Sequence, residues 1–358
     1  MIRLVGYEFG KIVRRKIVYA ALGALAVFSL MLYMGNGPQS AISRLPDGTY
    51  IGGGEAVAYD KEVAAEYEGE LTEEKIQDIL ERYAPGTPDG GFWTINSTYN
   101  TVQNSFGNMD GSYNGLTVEE AFPDYQGEKP LLLGYNSGYT GFIFMGMYLM
   151  IGFGFVLIIA LAPVFSEEYS RKTDALLLTS RHGKRLCGWS KILASYLFTL
   201  LTAGVFLLTM IGAFLAGFGL TGGESSIQLN DSFLLEDVPY FMSCMDAALD
   251  CLVLWLAGAL ILTALTLVLS ALCRTSFITL IAALAVYMLP MLGVSVGIPD
   301  ELLSATPFWC FLSERTLEIP KFFGGQLSWI WIPAAFSVLL APLALHLGRK
   351  IFARHQVA

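Results

Sequence analysis

The charged residues with the most distinctive spacing lie in one segment, residues 165–191, between two long apolar runs. Glu167 lies four residues before Arg171, which is the favourable order for an ion pair on a helix. Glu168 has the same relation to Lys172, and three consecutive leucines follow. Such a segment could dock in a groove of a partner protein, or rest on the membrane with its arginines among the head groups. The residues alone leave both interpretations open. Its six basic residues, in a chain of net charge −9, are Arg171, Lys172, Arg181, Lys184, Arg185 and Lys191.

The sequence contains no motif for catalysis or for hydrolysis of a nucleotide. It has no G-x-x-x-x-G-K-[ST] loop, no H-E-x-x-H and no G-x-S-x-G, the patterns that would hold phosphates, a zinc ion or a serine nucleophile. Its histidines and cysteines form no metal-binding pattern. We therefore expect no metal and no cofactor to be bound by this chain, and we expect it not to be an enzyme.

Two further sets of residues could have a role near the outer surface. Asp246 and Asp250 lie four residues apart on one face, at the outer end of an apolar run. A carboxylate in the membrane is costly and hints at function, so these two could contact a cationic cargo in a vestibule. Their position close to the interface favours the alternative, a hydrated helix end. Cys244 and Cys310 fall near the same surface and could form a disulfide in an oxidising compartment.

The elements that must position these residues are membrane-spanning helices. The chain is 54% hydrophobic and 15% charged, whereas soluble domains carry about 25% charged residues. A spanning helix needs about 20 mostly apolar residues, and six runs satisfy this. The sequence thus predicts an all-α membrane protein with six transmembrane helices. The predicted spans are 17–34, 141–164, 192–220, 247–271, 275–297 and 327–348.

The distribution of basic residues predicts the orientation. Fifteen of the 22 Lys and Arg residues lie in the N-terminus, the 165–191 loop, the turn between spans four and five, and the C-terminus. Since Lys and Arg concentrate on the cytoplasmic side, both termini are predicted to be cytoplasmic. Residues 1–16, with apolar and basic residues on opposite faces, predict an interfacial helix. Residues 349–358 predict a short cytoplasmic tail.

The long segment 35–140 is predicted to form a small α or α+β extracellular domain. It contains 17 acidic and five basic residues, which argues against nucleic-acid binding. One helix is well indicated: Thr72 can cap it, and apolar residues recur at helical spacing from Ile76 to Tyr83. The run from Phe92 to Tyr113 favours short strands. The other predicted outer segments are a polar loop, 221–246, and an aromatic extracellular or re-entrant segment, 298–326.

The 165–191 loop resembles that of ABC-2-type transporter permeases. That loop commonly reads F-x-x-E-x-x-x-G-T-L-x-x-L-L-x-x-P-x-S-R, followed by a G-K pair. Here Lys172 replaces the glycine, Asp174 the leucine and Arg181 the proline. The basic N-terminus, the six spans and the short turn between spans four and five agree with the same family, whereas segment 35–140 is outside the resemblance. The residues in register are Phe165, Glu168, Thr173, Leu177, Leu178 and Lys191.

The resemblance implies a transmembrane permease subunit of an ATP-driven exporter in a bacterial-type plasma membrane. It implies two copies of a separate ATPase, which uses ATP and Mg, and a second permease that completes a homo- or heterodimer within the membrane lipid. The 165–191 loop would be the coupling helix seated on the ATPase. Glu168 and Thr173 would help to form it, Leu177 and Leu178 would pack it, and Phe165, Arg181 and Lys191 would belong to the same coupling region.

A different class of protein is the alternative. Segment 35–140 could bind an extracellular ligand, such as a cationic peptide, in a membrane-anchored sensor or immunity protein that transports nothing. The short C-terminal tail leaves no room for a signalling domain, which disfavours this interpretation. A membrane-embedded enzyme is disfavoured by the lack of a buried catalytic constellation.

Overall fold

The structure is a computed structural model that describes residues 1–84, 95–173, 186–231, 235–320 and 329–354. The strands are β1 (Ile42–Arg44), β2 (Tyr50–Gly52), β3 (Gly69–Glu70) and β4 (Leu132–Leu133), and a 3-10 helix covers Pro38–Ser40. The helices are α1 (Ile2–Val13), α2 (Lys16–Asn36), α3 (Gly54–Tyr67), α4 (Glu73–Tyr83), α5 (Ser97–Phe106), α6 (Val118–Ala121), α7 (Ser137–Leu161), α8 (Pro163–Ser170), α9 (Gly188–Phe218), α10 (Cys244–Leu272), α11 (Ser276–Ser295), α12 (Asp300–Leu303), α13 (Pro307–Phe311), α14 (Ser313–Leu317) and α15 (Trp331–Arg354).

Among the described residues, five helices are long and apolar enough to cross a membrane. They contain α2, α7 with α8, α9, α10 and α11, and they coincide with the first five predicted spans. Helix α15 has 24 residues, which at 1.5 Å per residue is long enough for a bilayer. The sixth span nevertheless stays a prediction, as does the orientation of the termini.

Helices α7 and α10 form the centre of the bundle. Helix α7 packs against α2, α9 and α10, and α10 packs against α15. Trp255 of α10 is fully buried and lies beside Phe142 of α7, with ring centroids 5.4 Å apart. Gly146 allows this contact, because a Cβ there would lie 2.1 Å from the Trp255 ring. The central pair of helices is therefore packed at the density of a protein core.

The predicted re-entrant segment 298–326 contains three short helices within its described part, α12 to α14. Its aromatic residues pack against the bundle: the Tyr287 ring lies 5.6 Å from Phe308 and 6.2 Å from Phe311. Gly258 permits the close approach, since a Cβ there would lie 2.8 Å from that of Cys310. Residues 298–320 thus complete the core around α10 and α11.

Segment 35–140 has a hydrophobic core of its own, formed by α3, α4, α5 and the chain near β4. Strands β1 and β2 pair antiparallel, as do β3 and β4. The predicted helix is confirmed as α4: the Thr72 side chain accepts a hydrogen bond from the Lys75 amide, and its apolar stripe is buried.

The strands expected between Phe92 and Tyr113 are wrong for most of that run, because Ser97–Phe106 forms α5. The side chain of Asn96 caps this helix by accepting from the Tyr99 amide at 2.7 Å. Only an isolated bridge joins Gly107 to Tyr113 in the described part of the run. The N-capping Asn96 favours a helix here, and this local signal determined the structure more strongly than the aromatic composition that had suggested strands.

Candidate coupling site

Only Ala162, which has a helical backbone conformation, separates α7 from α8, and a serine of α10 contacts this junction. Pro163 occupies the first position of α8, where its missing N–H has no consequence for the helix. The first amides of a helix have no partner within it. Here the Ser270 hydroxyl accepts from the Phe165 amide at 2.9 Å and from the Ser166 amide at 3.2 Å. It also donates to the Ala162 carbonyl at 2.6 Å, which satisfies the hydroxyl completely.

Two more hydrogen bonds fasten α8 to the turn between α10 and α11. The Tyr169 hydroxyl donates to the Ala271 carbonyl at 3.1 Å. The Ser166 hydroxyl lies 3.2 Å from that of Ser276 at the start of α11. Helix α8 is therefore attached along one side to the ends of two membrane helices.

The other end of α8 closes with the hydrogen-bond pattern of a Schellman motif. The Thr173 amide donates to the Glu168 carbonyl at 3.0 Å, and the Lys172 amide to the Tyr169 carbonyl at 3.1 Å. Lys172 has a φ of 55°, in the left-handed region that favours glycine. The ABC-2 pattern has glycine at this position, and the required backbone conformation is the physical reason.

Lys191 at the start of α9 lies at the centre of a buried ionic cluster. Its side chain is only 2% exposed. The ammonium group donates to Glu8 Oε2 at 3.0 Å, to Glu168 Oε1 at 2.9 Å and to the Val164 carbonyl at 3.0 Å. Three acceptors match the three donors of an ammonium group, so the charge is buried without an unsatisfied donor. We call Glu8, Lys11, Glu168, Thr173 and Lys191 the coupling cluster.

Lys11 of α1 completes the cluster on its exposed side. Its ammonium group lies 3.2 Å from Glu168 Oε1 and 3.5 Å from Glu8 Oε1. Burial opposes its charge, but the two carboxylates outweigh burial and raise the pKa of Lys11. Thr173 donates from its hydroxyl to Glu168 Oε2 at 2.5 Å. Both oxygens of Glu168 are thereby used, one for the lysines and one for the end of α8.

A second ion-pair group lies beside the cluster. Arg15, in the connection between α1 and α2, contacts Glu167 at 2.6 Å and donates to the Ala160 carbonyl at 3.0 Å. Arg171 contacts the other oxygen of Glu167, also at 2.6 Å. Together the two groups surround a cavity of about 460 Å³ that is lined mainly by charged side chains of α1 and α8.

Among the described residues, the structure brings three of the predicted coupling residues together: Glu168, Thr173 and Lys191 meet in the cluster. Phe165, within α8, is fully buried. Leu177, Leu178 and Arg181 lie outside the described residues.

Of the two ion pairs expected within α8, the first is confirmed by the Glu167–Arg171 contact. The second is wrong: Glu168 pairs with Lys191 and Lys11 rather than with Lys172. Lys172 lies beyond the end of α8, in a left-handed backbone conformation.

Sequence reasoning missed Glu8 and Ser270. The interfacial position of residues 1–16 stays a prediction. Helix α1 packs against α9, with Glu8 and Ile12 both buried, while Ile2 is 88% exposed. Glu8 is the one acidic residue among five basic ones in residues 1–16, and this was the available sign that it has a buried partner. Nothing in the sequence distinguishes Ser270 from the other small residues of α10.

Asp246 and Asp250 differ in the surface that they line. Asp246 is exposed and lines an outer cavity with Lys61, Glu68 and Glu224, whereas Asp250 does not line it. A vestibule role for these two aspartates stays a prediction.

The disulfide considered between Cys244 and Cys310 is not formed in this structure, where both are buried, free thiols. Cys244 contacts the Ser225 hydroxyl at 3.4 Å, and Cys310 contacts the Ser304 carbonyl at 3.4 Å. Each sulfur therefore has a separate partner.

Five apolar helices around a buried core define a multi-pass membrane protein. A family profile described as "ABC-2 family transporter protein" matches residues 60–323, well over half of the chain. The chain therefore belongs to the ABC-2 transporter family and is a permease component of an ABC transporter. The match includes much of segment 35–140, which the loop motif did not cover. Comparisons with curated proteins and with solved structures give no significant match.

Proposed function

We propose that this chain is the permease subunit of an ATP-driven exporter in a bacterial-type plasma membrane. It has six spans with both termini in the cytoplasm, and it pairs with an identical or a different permease. Two copies of a separate ATPase subunit bind the cytoplasmic side and hydrolyse ATP with Mg. Membership of the ABC-2 family supports association with such an ATPase.

The observation that carries the proposal is the position of the coupling cluster. Its members Glu168, Thr173 and Lys191 lie near the two ends of the 165–191 loop, which the ABC-2 pattern assigns to the ATPase contact. Thr173 is the last residue that the structure describes in the first part of this loop. Through Glu168 and Lys191 it is joined to α9, and through Glu8 to α1.

Hydrogen bonds and ion pairs provide a continuous path from this loop into the bundle. Displacement of Thr173 acts on Glu168, and hence on Lys191 and the start of α9. It also acts on α8, which Ser270 and Tyr169 attach to the end of α10. Closure of the ATPase pair beneath the loop thus moves the second, third and fourth spans together. This is the step that re-orients the bundle and releases cargo outward.

The proposal is tested by purifying the tagged chain from its native membrane and identifying any ATPase that is bound to it. The complex is purified and reconstituted, and its ATP hydrolysis is compared with that of the isolated ATPase. We expect an ATPase to co-purify and the permease to alter its activity. Because Glu168→Gln removes the charge that Lys191 and Lys11 share, we expect at least a tenfold loss of the permease-dependent part.

Thr173→Ala gives a milder test, since it removes one hydrogen bond at the edge of the cluster and keeps the buried charges paired. Glu66→Gln is the matched control: Glu66 pairs with Arg82 at 2.5 Å, and both side chains are about half exposed. Size-exclusion profiles and Tm values identify any variant that misfolds. Absence of a co-purifying ATPase, or full activity in both Glu168→Gln and Thr173→Ala, would contradict the proposal.

A further inference from the structure

A polar cavity of about 370 Å³ lies where segment 35–140 meets the outer ends of α2, α7 and α9. Asp60 of α3 faces it, as does Asp231 from the connection between α9 and α10. Asp60 accepts hydrogen bonds from the Ser43 hydroxyl and, at 3.3 Å, from the Ser97 amide. Within the described ranges, no Lys or Arg forms an ion pair with Asp60.

Buried polar atoms without partners line the same cavity. Asn96 is 1% exposed and Asn100 is 8% exposed. The Asn96 Nδ2 and Asn100 Oδ1 atoms have no hydrogen-bond partner among the described residues. Since buried polar groups are almost always hydrogen-bonded, this arrangement points to a ligand with polar atoms of its own. Burial raises the pKa of Asp60 to about 6, against the effect of its two donors, as expected for a carboxyl that faces no cation.

An apolar groove of about 570 Å³ continues from this cavity along the same three helices. Leu149 of α7, Tyr33 of α2 and Phe214 of α9 line the groove. One turn further along each helix, Met145, Asn36 and Phe218 line the polar cavity. One turn corresponds to about 5 Å, so the two spaces adjoin. The Tyr33 and Phe214 rings, 5.4 Å apart and edge to face, form a wall of the groove.

We propose that the polar cavity and the groove together bind a cationic amphiphile: an organic ammonium head beside Asp60 and an alkyl chain between α2, α7 and α9. The carboxylates neutralise the head, and the Asn96 and Asn100 amides offer a donor and an acceptor to its polar substituents. Tyr135 and Phe218 also line the cavity. This site is independent of the coupling proposal and does not identify the exported cargo.

The charge of the cavity selects among amphiphiles. A phospholipid such as phosphatidylethanolamine carries an ammonium group but also a phosphate, which the two carboxylates repel. A fatty acid has the wrong sign of charge. Among the described residues the neighbouring Lys61 forms no ion pair with Asp60; it lines an adjacent cavity, with its ammonium 5.5 Å from the Tyr135 ring. We therefore commit to a phosphate-free cationic amphiphile.

The test uses the full chain in phosphatidylcholine nanodiscs at pH 7.5, with dodecylamine as the probe. Its binding is measured by calorimetry and as a rise in Tm, with empty nanodiscs as the blank for partitioning into lipid. We expect saturable binding that Asp60→Asn weakens at least tenfold. Ala213→Phe fills part of the groove and should weaken binding to a similar extent. Glu66→Gln removes an exposed acid of the same segment and should leave the Kd unchanged.

Three further probes separate the head from the chain. Dodecanol and dodecanoate keep the chain and lack the cation, and propylamine keeps the cation and lacks the chain; we expect each to bind at least tenfold more weakly than dodecylamine. Equal binding of any of them would overturn the proposal, as would unchanged binding in both Asp60→Asn and Ala213→Phe. Loss of dodecylamine binding in phosphatidylethanolamine nanodiscs would identify the lipid as the occupant and overturn our assignment. The second variant and the Tm values guard against misfolding of the first.

Discussion

The coupling cluster and the polar cavity near Asp60 both contain buried carboxylates, but only those of the cluster are paired with cations. In the cluster, Glu8 and Glu168 share the ammonium groups of Lys191 and Lys11. In the cavity, Asp60 faces Asp231 and, among the described residues, has hydroxyl and amide donors but no cation. A satisfied ionic network fixes the relative positions of its elements. An uncompensated carboxylate is destabilising by itself and becomes favourable when a cationic ligand arrives.

The largest effect on stability is expected from breaking the ion pairs of the coupling cluster. Lys191→Met leaves two carboxylates of the coupling cluster buried without their central cation. Removing one partner of a buried pair costs about 3–5 kcal/mol, so we expect a large fall in Tm and poor yield from the membrane. Arg82→Met, at an exposed ion pair, should leave the Tm unchanged.

The triple variant Glu8→Gln, Glu168→Gln, Lys191→Met sharpens the same prediction. It removes the three buried charges together and leaves only the more exposed Lys11, and replacing a buried ionic network is often close to neutral. We expect it to recover most of the lost stability. A triple variant as unstable as Lys191→Met would mean that shape, rather than charge, determines the effect.

The second prediction concerns the pH dependence of stability that arises from Asp60 in the polar cavity. Because the pKa of Asp60 rises from its ordinary 3.8 to about 6 on folding, the folded chain holds its proton more tightly. Stability from this group is therefore greatest below pH 4 and falls as the pH rises towards 6, by about 2–3 kcal/mol. Tm values measured between pH 4 and pH 7.5 should decline less steeply for Asp60→Asn.

Glu236 and Glu318 have pKa values raised to about 7, first by burial and then by neighbouring acids, and they contribute a slope of the same sign. The difference between the pH profiles of Tm for the wild type and for Asp60→Asn therefore reports the contribution of Asp60 alone. Identical pH profiles would show that Asp60 is compensated in the folded chain.

A third effect is expected where α8 meets α10. Ser270→Ala leaves the buried amides of Phe165 and Ser166 without an acceptor, which costs about 1–3 kcal/mol. A drop in Tm together with a reduced effect of the chain on its ATPase would support the role of this contact. Ser295→Ala removes an exposed hydroxyl that bonds only to the carbonyl of Met291, and no change is expected there.

The smallest effect is a gain in stability. Lys172→Gly places glycine at the left-handed residue that ends α8, and the release of backbone strain should add about 1 kcal/mol. The measurement is again the Tm. Lys172→Ala is the matched control, since it removes the same charge but keeps a Cβ. Equal gains in both variants would trace the effect to charge instead of backbone conformation.

Local features were predictable to the extent that their causes are local. The apolar runs, the Thr72 cap of α4 and the Glu167–Arg171 pair depend on residues close in sequence, and they were found. The strands expected near Asn96 failed because composition was weighed above the capping signal. The predicted ion pair between Glu168 and Lys172 failed because it required the helix to continue to Lys172, whereas α8 ends at Ser170.

Hydrophobicity and charge spacing are properties of the chain alone, and they were enough to predict a multi-pass membrane protein with a charged loop between its second and third spans. The contacts of those charges depend on how the helices pack. Glu8 is 183 residues from Lys191, and Ser270 is 105 residues from Phe165. Burial makes an unpaired charge or amide costly, but many partners in the sequence could satisfy it. Helix packing selects among them.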